Sequence, residues 1–475
     1  MEDREGKNKF WKGILIGALA TALFGLIAVT AAAGIWIMGR MTANQLGAAS
    51  LAENENGDGG EEGTESPETL DMSRIGTKLT YMESLVNEYF LFDEEEEEEE
   101  GTGYSAEDWI YAGYMFSLND PYSSYYNAEE FASLSEETEG EYCGIGVQVS
   151  QNVYTGLITV VKVFKDSPAE EAGMLPGDYL YKVEDLEATG EDLSILVSDH
   201  IKGEEGTTVH LTVYRESTGE YVEMDVERRM VENPTVEYEM LEQKLGYIAL
   251  SSFEEVSSEQ FITAVDDLED QGMEGLIIDL RNNGGGVTQA AEDIADYILP
   301  EGDTLVSFKG KGVPETVYYS DDGHSVDVPV VVLVNGQSAS SSEVLTGALK
   351  DNDAAVVVGE LTFGKGIAQG IFPLPDGSAL KLTTSYYYTP SGECIHEIGI
   401  EPDVEVKLKE ELLSMVEIPK EEDNQLQAAI DVLLEGEETV KERLAAEAAE
   451  NPETDPMEEA FSFPPEDGVG EEVTE

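Results

Sequence analysis

Short apolar runs and helical stripes alternate along most of this chain. β-branched runs predict buried strands over residues 246–250, 275–280, 329–334 and 354–358. Apolar residues at helical spacing predict helices over 70–91, 109–118, 258–271, 343–349 and 425–434. Between residues 140 and 229 the pattern changes to short strands with one or two helices. Strands alternating with helices predict an α/β core, and the change in pattern predicts a second, smaller domain.

The N-terminal region has a different pattern. Residues 13–39 are uncharged and largely apolar, which is long enough for a transmembrane helix. More positive residues precede this stretch than follow it, so we expect residues 1–12 in the cytoplasm and the rest outside the membrane. The alternative is a cleaved signal peptide, because three alanines occupy positions 31–33.

The charge of the chain narrows the range of partners. Among 475 residues, 26 Lys and Arg face 101 Asp and Glu, giving a net charge of −75. Such a charge repels nucleic acid and anionic lipid headgroups. The acids concentrate in residues 53–68, 93–100 and 447–475, which we predict to be disordered. Calcium binding by these runs stays an open alternative.

Metal and disulfide chemistry find little support in the sequence. The four histidines show no spacing typical of a metal site. Cys143 and Cys394 belong to different predicted domains, so we expect free thiols. We therefore predict an enzyme with no cofactor and no metal.

The candidate chemistry lies where a predicted strand ends. Asn335 opens the run NGQSASSSE, and Gly359 opens the run GELTFGKGIAQ. A serine at a helix start is a weak nucleophile until a base takes its proton. Lys365, in a glycine-flanked turn, can be that base only when neutral, which burial among apolar groups favours. The same turn resembles a Walker A loop, but Gly366 stands where Ser or Thr should bind Mg²⁺.

These runs resemble the C-terminal processing peptidases, also called tail-specific proteases. The resemblance implies that Ser340 is the nucleophile, Lys365 the general base and Gln369 the side chain that orients the lysine. A second block, LRNNGGG from Leu280 to Gly286, resembles the family's oxyanion loop. It implies that Gly285 and Ser341 supply the oxyanion N–H groups, although Gly284 replaces the family's proline.

Residues 136–230 resemble a PDZ domain, through a YCGIG loop and an SPAEEAG segment followed by PGD. Such domains bind a peptide C-terminus as an added strand. The resemblance implies a helix over 193–201 beside the groove and a peptide site that includes Lys202, where relatives often carry arginine. The predicted peptide-binding residues are Tyr142, Cys143, Gly144, Ile145, Gly146 and Lys202.

Together these patterns predict a multidomain α/β (α+β) protein, with a crotonase- and ClpP-like protease core implied by the resemblance. The expected segments are a cytoplasmic N-terminus (1–12), a transmembrane anchor (13–39), an acidic disordered linker (40–69) and an N-terminal helical segment (70–135). They are followed by the PDZ domain (136–230), the protease core (231–415), a C-terminal helical segment (416–446) and an acidic disordered tail (447–475). We expect a single-pass protein of the bacterial cell membrane, with a serine endopeptidase outside the cytoplasm that acts on exposed protein C-termini. A homo-oligomer or a regulatory partner stays open. The alternatives are an inactive PDZ scaffold and a crotonase-like acyl enzyme.

Overall fold

The computed structural model describes residues 70–91, 104–321, 324–413, 415 and 418–450. The predictions for residues 1–12, for the membrane segment 13–39, for the linker 40–69 and for the acidic run 93–100 lie outside these residues. The described chain divides into two compact units. The larger contains residues 132–370 and the chain from 383 onward, and the smaller contains residues up to 131 together with 371–382.

A six-stranded sheet forms the centre of the larger unit. Its order is β10-β11-β12-β15-β16-β19, and all neighbours are parallel except the β10–β11 pair. Parallel strands covered on both faces read as continuous apolar runs, and every residue of β12 and β15 is buried. The strands are Val236–Met240, Leu245–Leu250, Gly275–Asp279, Val330–Val334, Ala355–Gly359 and Val404–Glu405.

Helices cover both faces of this sheet, as the alternating pattern predicts. On one face, Phe261 and Leu268 of one helix and Ile294 of another join a large apolar core. On the other face, Leu426 packs with Ile277 of β12. The helices are α6 (Ser257–Asp270), α7 (Thr288–Ile298), α8 (Ser341–Asp351), α9 (Asn424–Glu435) and α10 (Glu437–Glu450).

An antiparallel ladder contacts α8 through its strand at residues 304–309. Strand β13 (Thr304–Lys309) pairs with β14 (Thr316–Tyr319) and with the end of β18 (Ala379–Tyr388). Strand β17 (Ile367–Pro373) also pairs with β18. The chain after Gly366 is therefore extended, and no helix follows the turn as a Walker A loop requires.

The region predicted as a PDZ domain is a five-strand sheet, β3-β4-β5-β7-β8, with a sixth short strand on β5. Its apolar core includes Ile145, Leu180, Leu196 and Leu211. The predicted groove helix is present as α5 (Leu193–Ile195) continuing into a π-helical turn, Leu196–Ile201. The strands are Val147–Gln151, Ile158–Val163, Tyr179–Val183, Leu186–Glu187, Thr208–Arg215 and Glu220–Glu227, and α4 is Pro168–Glu171. The paired strands β2 (Glu141–Gly144) and β9 (Arg229–Glu232) enter and leave this module.

The smaller unit contains two predicted helices and one strand. Helix α1 (Met72–Tyr89) has no buried residue, and α2 (Ala106–Phe116) starts with a capping box at Ser105. Strand β1 (Ser124–Tyr126) pairs with residues 379–381 of β18, and the Lys381 Nζ donates to the Tyr126 hydroxyl at 2.7 Å. Helix α3 (Ala128–Glu139) continues the chain into the larger unit.

Two findings bear on the predicted termini. Helix α10 continues to Glu450, so the prediction of a disordered tail from residue 447 is wrong for its first four residues. No helix among the described residues is long and apolar enough to cross a membrane.

One buried acid on α7 gives a testable stability prediction. Glu292 is 5% exposed, and burial, with Asp293 adding to it, raises the pKa of Glu292 to about 8. The folded state then holds a proton on Glu292 that the unfolded chain releases at lower pH. The contribution of protonated Glu292 to the free energy of unfolding is therefore full at acid pH, and it is lost as the pH rises through about 8.

We therefore expect Glu292→Gln to gain stability over the wild type as the pH rises from 5 to 9, by up to roughly 4 kcal/mol. Urea unfolding at several pH values measures the difference. The exposed Glu301→Gln is the control and should show a flat difference. A flat difference for Glu292→Gln as well would contradict a buried neutral acid at this position.

Candidate active site

The serine loop connects the end of β15 to α8. Ser340 precedes the helix in a left-handed conformation, with φ 56° and ψ −114°. A non-glycine residue in this region is strained and needs support from its surroundings. The Ser340 carbonyl oxygen accepts from the N–H groups of Glu343 (2.8 Å) and Val344 (2.9 Å). The sharp turn places the serine at the N-terminus of α8, where developing negative charge is favoured.

The lysine turn lies between β16 and β17. Lys365 is only 1% exposed, so its side chain is buried as the sequence interpretation requires. A returning segment, residues 387–400, packs over the turn. The N–H of Tyr387 donates to Gly366 O (3.1 Å), and the N–H of Glu397 donates to Gly364 O (2.8 Å). Of the two apolar residues that flank the turn in the sequence, Ile367 is buried, but Phe363 is 55% exposed.

A buried carboxylate joins these two segments. The Glu343 side chain is fully buried on the first turn of α8, and one of its oxygens, Oε2, accepts from the N–H of Ser340 (3.0 Å) and of Lys365 (2.8 Å). The two backbone nitrogens are therefore no farther apart than the sum of these distances. The other oxygen, Oε1, accepts from the Thr362 hydroxyl (2.5 Å) and the Gly364 N–H (2.7 Å).

The charge state of Glu343 follows from opposing effects. Burial raises the pKa of Glu343 above its usual value, and the hydrogen bonds from Thr362, Gly364, Lys365 and Ser340 oppose this rise. All four donors point at carboxyl oxygens, which act as acceptors for them. The fully buried Tyr387 donates its hydroxyl proton to Ser340 O (3.2 Å), and burial, with Glu343 nearby, raises the pKa of this tyrosine well above its usual value.

The glycine turn after β12 lies against the serine loop, as the sequence predicts. The N–H of Ala339 and the hydroxyl of Ser342 both donate to Asn283 O (3.1 and 2.8 Å). The Ser341 hydroxyl donates to Gly286 O (2.8 Å). The Ser338 hydroxyl donates to Leu280 O in the same way. These four bonds join two segments that are at least 55 residues apart in the sequence.

Gly285 lies beside Ser340, but its N–H is already bonded. A Cβ on Gly285 would lie 2.8 Å from Ser340 Cβ and 2.9 Å from Ser341 N, so only glycine fits this contact. The Gly285 N–H donates to Asn283 Oδ1 at 2.8 Å. For Gly285 to stabilise an oxyanion, this bond must open or be shared. The other predicted donor, Ser341, is the first residue of α8, where the N–H has no acceptor within the helix.

Gln369 is buried on β17, four residues after the lysine. Its Nε2 donates to the Thr383 hydroxyl at 3.4 Å. The structure thus brings Ser340, Ser341, Lys365 and Gly285 to linked segments, and it places Gln369 on the strand that begins two residues after the lysine. The orienting role of Gln369 stays a prediction.

Two elements bear on the predicted peptide groove. Strand β3 is an edge strand of its sheet, and Val147 and Val149 of β3 and Val197 of the π-helical turn are half-buried against the core of the module. The loop before β3 packs on the module, since the Ala169 N–H donates to Ile145 O (2.9 Å) and the Phe164 N–H donates to Gly146 O (3.0 Å). The Gly203 N–H donates to Cys143 O (3.4 Å), which joins the end of the π-helical turn to this loop.

Lys202 bonds to an acid of α3. Its Nζ donates to Glu136 Oε2 of α3 at 2.5 Å and lies 4.9 Å from the centre of the Tyr142 ring. Burial, with Glu136 nearby, raises the pKa of Tyr142 to about 12. Among the predicted peptide-binding residues, Lys202 and Tyr142 thus form a link between α3 and the module.

Sequence reasoning missed Glu343 as a member of the site. Residues 361–374 contain no acid, and the acid beside the lysine turn comes from α8. The available signal was the S-x-x-E pattern from Ser340 to Glu343, which is typical of a capping box. No group of acids, histidines or cysteines in the described chain could hold a metal ion. Cys143 and Cys394 are free thiols, as expected.

Comparisons with known proteins agree with this geometry. Residues 244–406 match the model of peptidase family S41, and residues 143–226 match that of the PDZ domain. A carboxyl-terminal-processing protease of Synechocystis is 36% identical over 326 residues, covering 68% of this chain and 75% of the relative. The chain belongs to the carboxyl-terminal-processing proteases of family S41. It is a serine-type protease with a PDZ domain.

Other relatives are similar to this S41 protease to the same degree. A carboxy-terminal-processing protease of Bartonella bacilliformis is 36% identical, covering 62% of this chain and 68% of the relative. The carboxy-terminal processing protease CtpB of Bacillus subtilis is 35% identical, covering 62% of each chain.

The hydrogen bonds of Glu343 generate a prediction about turnover. Glu343→Gln replaces two acceptor oxygens by one oxygen and one NH₂ group, which faces N–H donors. We expect kcat to fall by about 10²-fold with KM little changed, because a displacement near 1 Å of a reacting group has this effect. Peptide hydrolysis kinetics measure both constants. The exposed Glu393→Gln is the control, and equal kcat in both variants would contradict the role given to Glu343.

Proposed function

We propose that this protease hydrolyses peptide bonds with a Ser340–Lys365 dyad. The observation that carries the proposal is the single Glu343 oxygen that accepts from both backbone N–H groups of the pair. In this mechanism the Ser340 Oγ attacks the peptide carbonyl carbon and Lys365 takes the hydroxyl proton. Lys365 returns the proton to the leaving amine, and water then hydrolyses the acyl-enzyme. The low dielectric around a fully buried lysine favours its neutral form.

The oxyanion of the tetrahedral intermediate would lie between the N–H groups of Ser341 and of the glycine turn. The N-terminus of α8 contributes its favourable dipole at that position. Because Asn283 Oδ1 holds the Gly285 N–H, the proposal includes a small rotation of the turn when substrate binds. Glycine at this position, with φ 99°, permits such a rotation.

The PDZ groove would bind an exposed C-terminus of a protein substrate. Support comes from the open edge of β3 and the half-buried apolar residues beside it, which suit an added peptide strand with an apolar side chain. The names of the relatives point to the same substrate class. We also keep, as proposals, a membrane anchor at residues 13–39 with the protease outside the cytoplasm, and a core of the crotonase type.

The dyad proposal predicts loss of activity in two variants. Ser340→Ala removes the nucleophile and Lys365→Ala removes the base, so cleavage of an unstructured protein should fall at least about 10³-fold in each. Circular dichroism checks that the fold is intact. Ser391→Ala and Lys311→Ala change exposed residues of the same types and should cleave normally. Full activity in either dyad variant would exclude this mechanism, whereas an inactive wild type would favour the PDZ scaffold instead.

The groove proposal predicts a change in substrate affinity. Val197→Ser removes apolar contact from the groove, so KM for substrates with apolar C-termini should rise about tenfold, with kcat unchanged. Deletion of residues 140–229 should lower turnover or remove its dependence on the tail sequence. The neighbouring exposed Ser198→Ala serves as the control. Unchanged kinetics in both Val197→Ser and the deletion would argue against peptide capture by this module.

A further inference from the structure

One short segment of the protease core contacts both the PDZ module and the glycine turn. This segment, residues 251–257, connects β11 to α6 and is called the bridge segment below. None of its residues takes part in the chemistry described above. Its hydrogen bonds nevertheless reach two regions whose relative position matters for catalysis.

The bridge segment binds the glycine turn through Phe253. The Phe253 N–H donates to Gly285 O (3.1 Å), and the Val287 N–H donates to Phe253 O (2.7 Å). The approach is so close that a Cβ on Gly286 would overlap the Phe253 carbonyl. The Phe253 side chain is buried in the main core, so this contact is rigid. The position of Phe253 therefore sets the orientation of the peptide between Gly285 and Gly286.

The same segment binds the two points where the chain enters and leaves the PDZ module. Gly140 precedes β2, Asn233 follows β9, and the Asn233 N–H donates to Gly140 O (2.7 Å). Glu254 Oε1 accepts from Asn233 Nδ2 (2.7 Å) and from the Ser252 hydroxyl (3.0 Å). The Glu255 N–H donates to Thr138 O of α3 (3.0 Å).

The second oxygen of Glu254 is a buried atom with no hydrogen-bond partner among the described residues. It packs against Gly140, where a Cβ would lie only 2.7 Å from Oε2. Burial raises the pKa of Glu254, its bonds to Asn233 and Ser252 lower it, and Glu137 of α3 raises it. A buried polar atom without a partner is costly, so packing alone does not explain an acid here.

We propose that Glu254 is a positioning residue that couples the PDZ junction to the oxyanion turn. Through Asn233 it fixes the bridge segment to the strands that hold the module, and Phe253 transmits that position to Gly285 and Gly286. This inference rests on the proposed function, in which the glycine turn stabilises the oxyanion. Glu254 touches no reacting atom, so it acts on kcat through the turn.

Two substitutions at this position separate positioning from simple packing. Glu254→Ala removes the bond to Asn233, and kcat should fall about tenfold with KM within about twofold, since misplacement acts on the transition state. Glu254→Gln keeps the volume and an acceptor oxygen for Asn233, and should keep kcat within about twofold of the wild type. Amide hydrogen exchange over residues 283–287 should be faster in Glu254→Ala than in the wild type or in Glu254→Gln.

Asn233→Ala removes the donor of the same hydrogen bond. It keeps the proposal testable if Glu254→Ala fails to fold. It should lower kcat as Glu254→Ala does, and the double variant should lose no more than either single one. The exposed Glu259→Ala is the control. Normal kcat and normal exchange in Glu254→Ala or Asn233→Ala would overturn the coupling, as would a Glu254→Gln variant impaired like Glu254→Ala. An inactive wild type would refute the proposed function instead, and the exchange data would then decide the coupling alone.

Discussion

The site depends on one buried carboxylate that accepts hydrogen bonds from two different segments. The Glu343 carboxyl accepts hydrogen bonds from N–H groups of the serine loop and of the lysine turn, and from the Thr362 hydroxyl. Inside a protein such bonds are strong, and an unpaired acid there is very unfavourable. The two segments therefore cannot separate without leaving the buried Glu343 carboxyl short of hydrogen-bond donors. This constraint supports the strained backbone of Ser340 and the burial of Lys365.

The rest of the core supplies a rigid base for that arrangement. The loops that carry Asn283, Ser340 and Lys365 all follow neighbouring parallel strands, so they meet at one edge of the sheet. The returning segment, residues 387–400, packs over the lysine turn, and Lys365 is buried there. The bridge segment then extends the same network to the PDZ junction. In the proposed coupling, binding at the groove acts on chemistry at the serine through the side-chain bond of Glu254 with Asn233 and the backbone bonds of Phe253.

Much of this structure follows from the sequence, because local pattern and tertiary packing agree. The apolar runs at residues 275–279 and 330–334 are strands, and Ser340 does precede a helix. The partner of the lysine turn could not be predicted from spacing, since Glu343 is 22 residues away and reads as an ordinary helix cap. The bond from Gly285 to Asn283 also depends on a side-chain rotamer that no pattern specifies. The helix through Glu450 was missed because its acids suggested a solvated tail.

The most direct measurement is a crystal structure of the protein with a peptide aldehyde or boronate bound to the active site. We expect the adduct on Ser340 Oγ, with Lys365 Nζ within hydrogen-bond distance of that oxygen and Glu343 Oε2 still accepting from both backbone N–H groups. An adduct on another residue would contradict this description of the site. So would an adduct on Ser340 with Glu343 displaced and the serine and lysine segments apart.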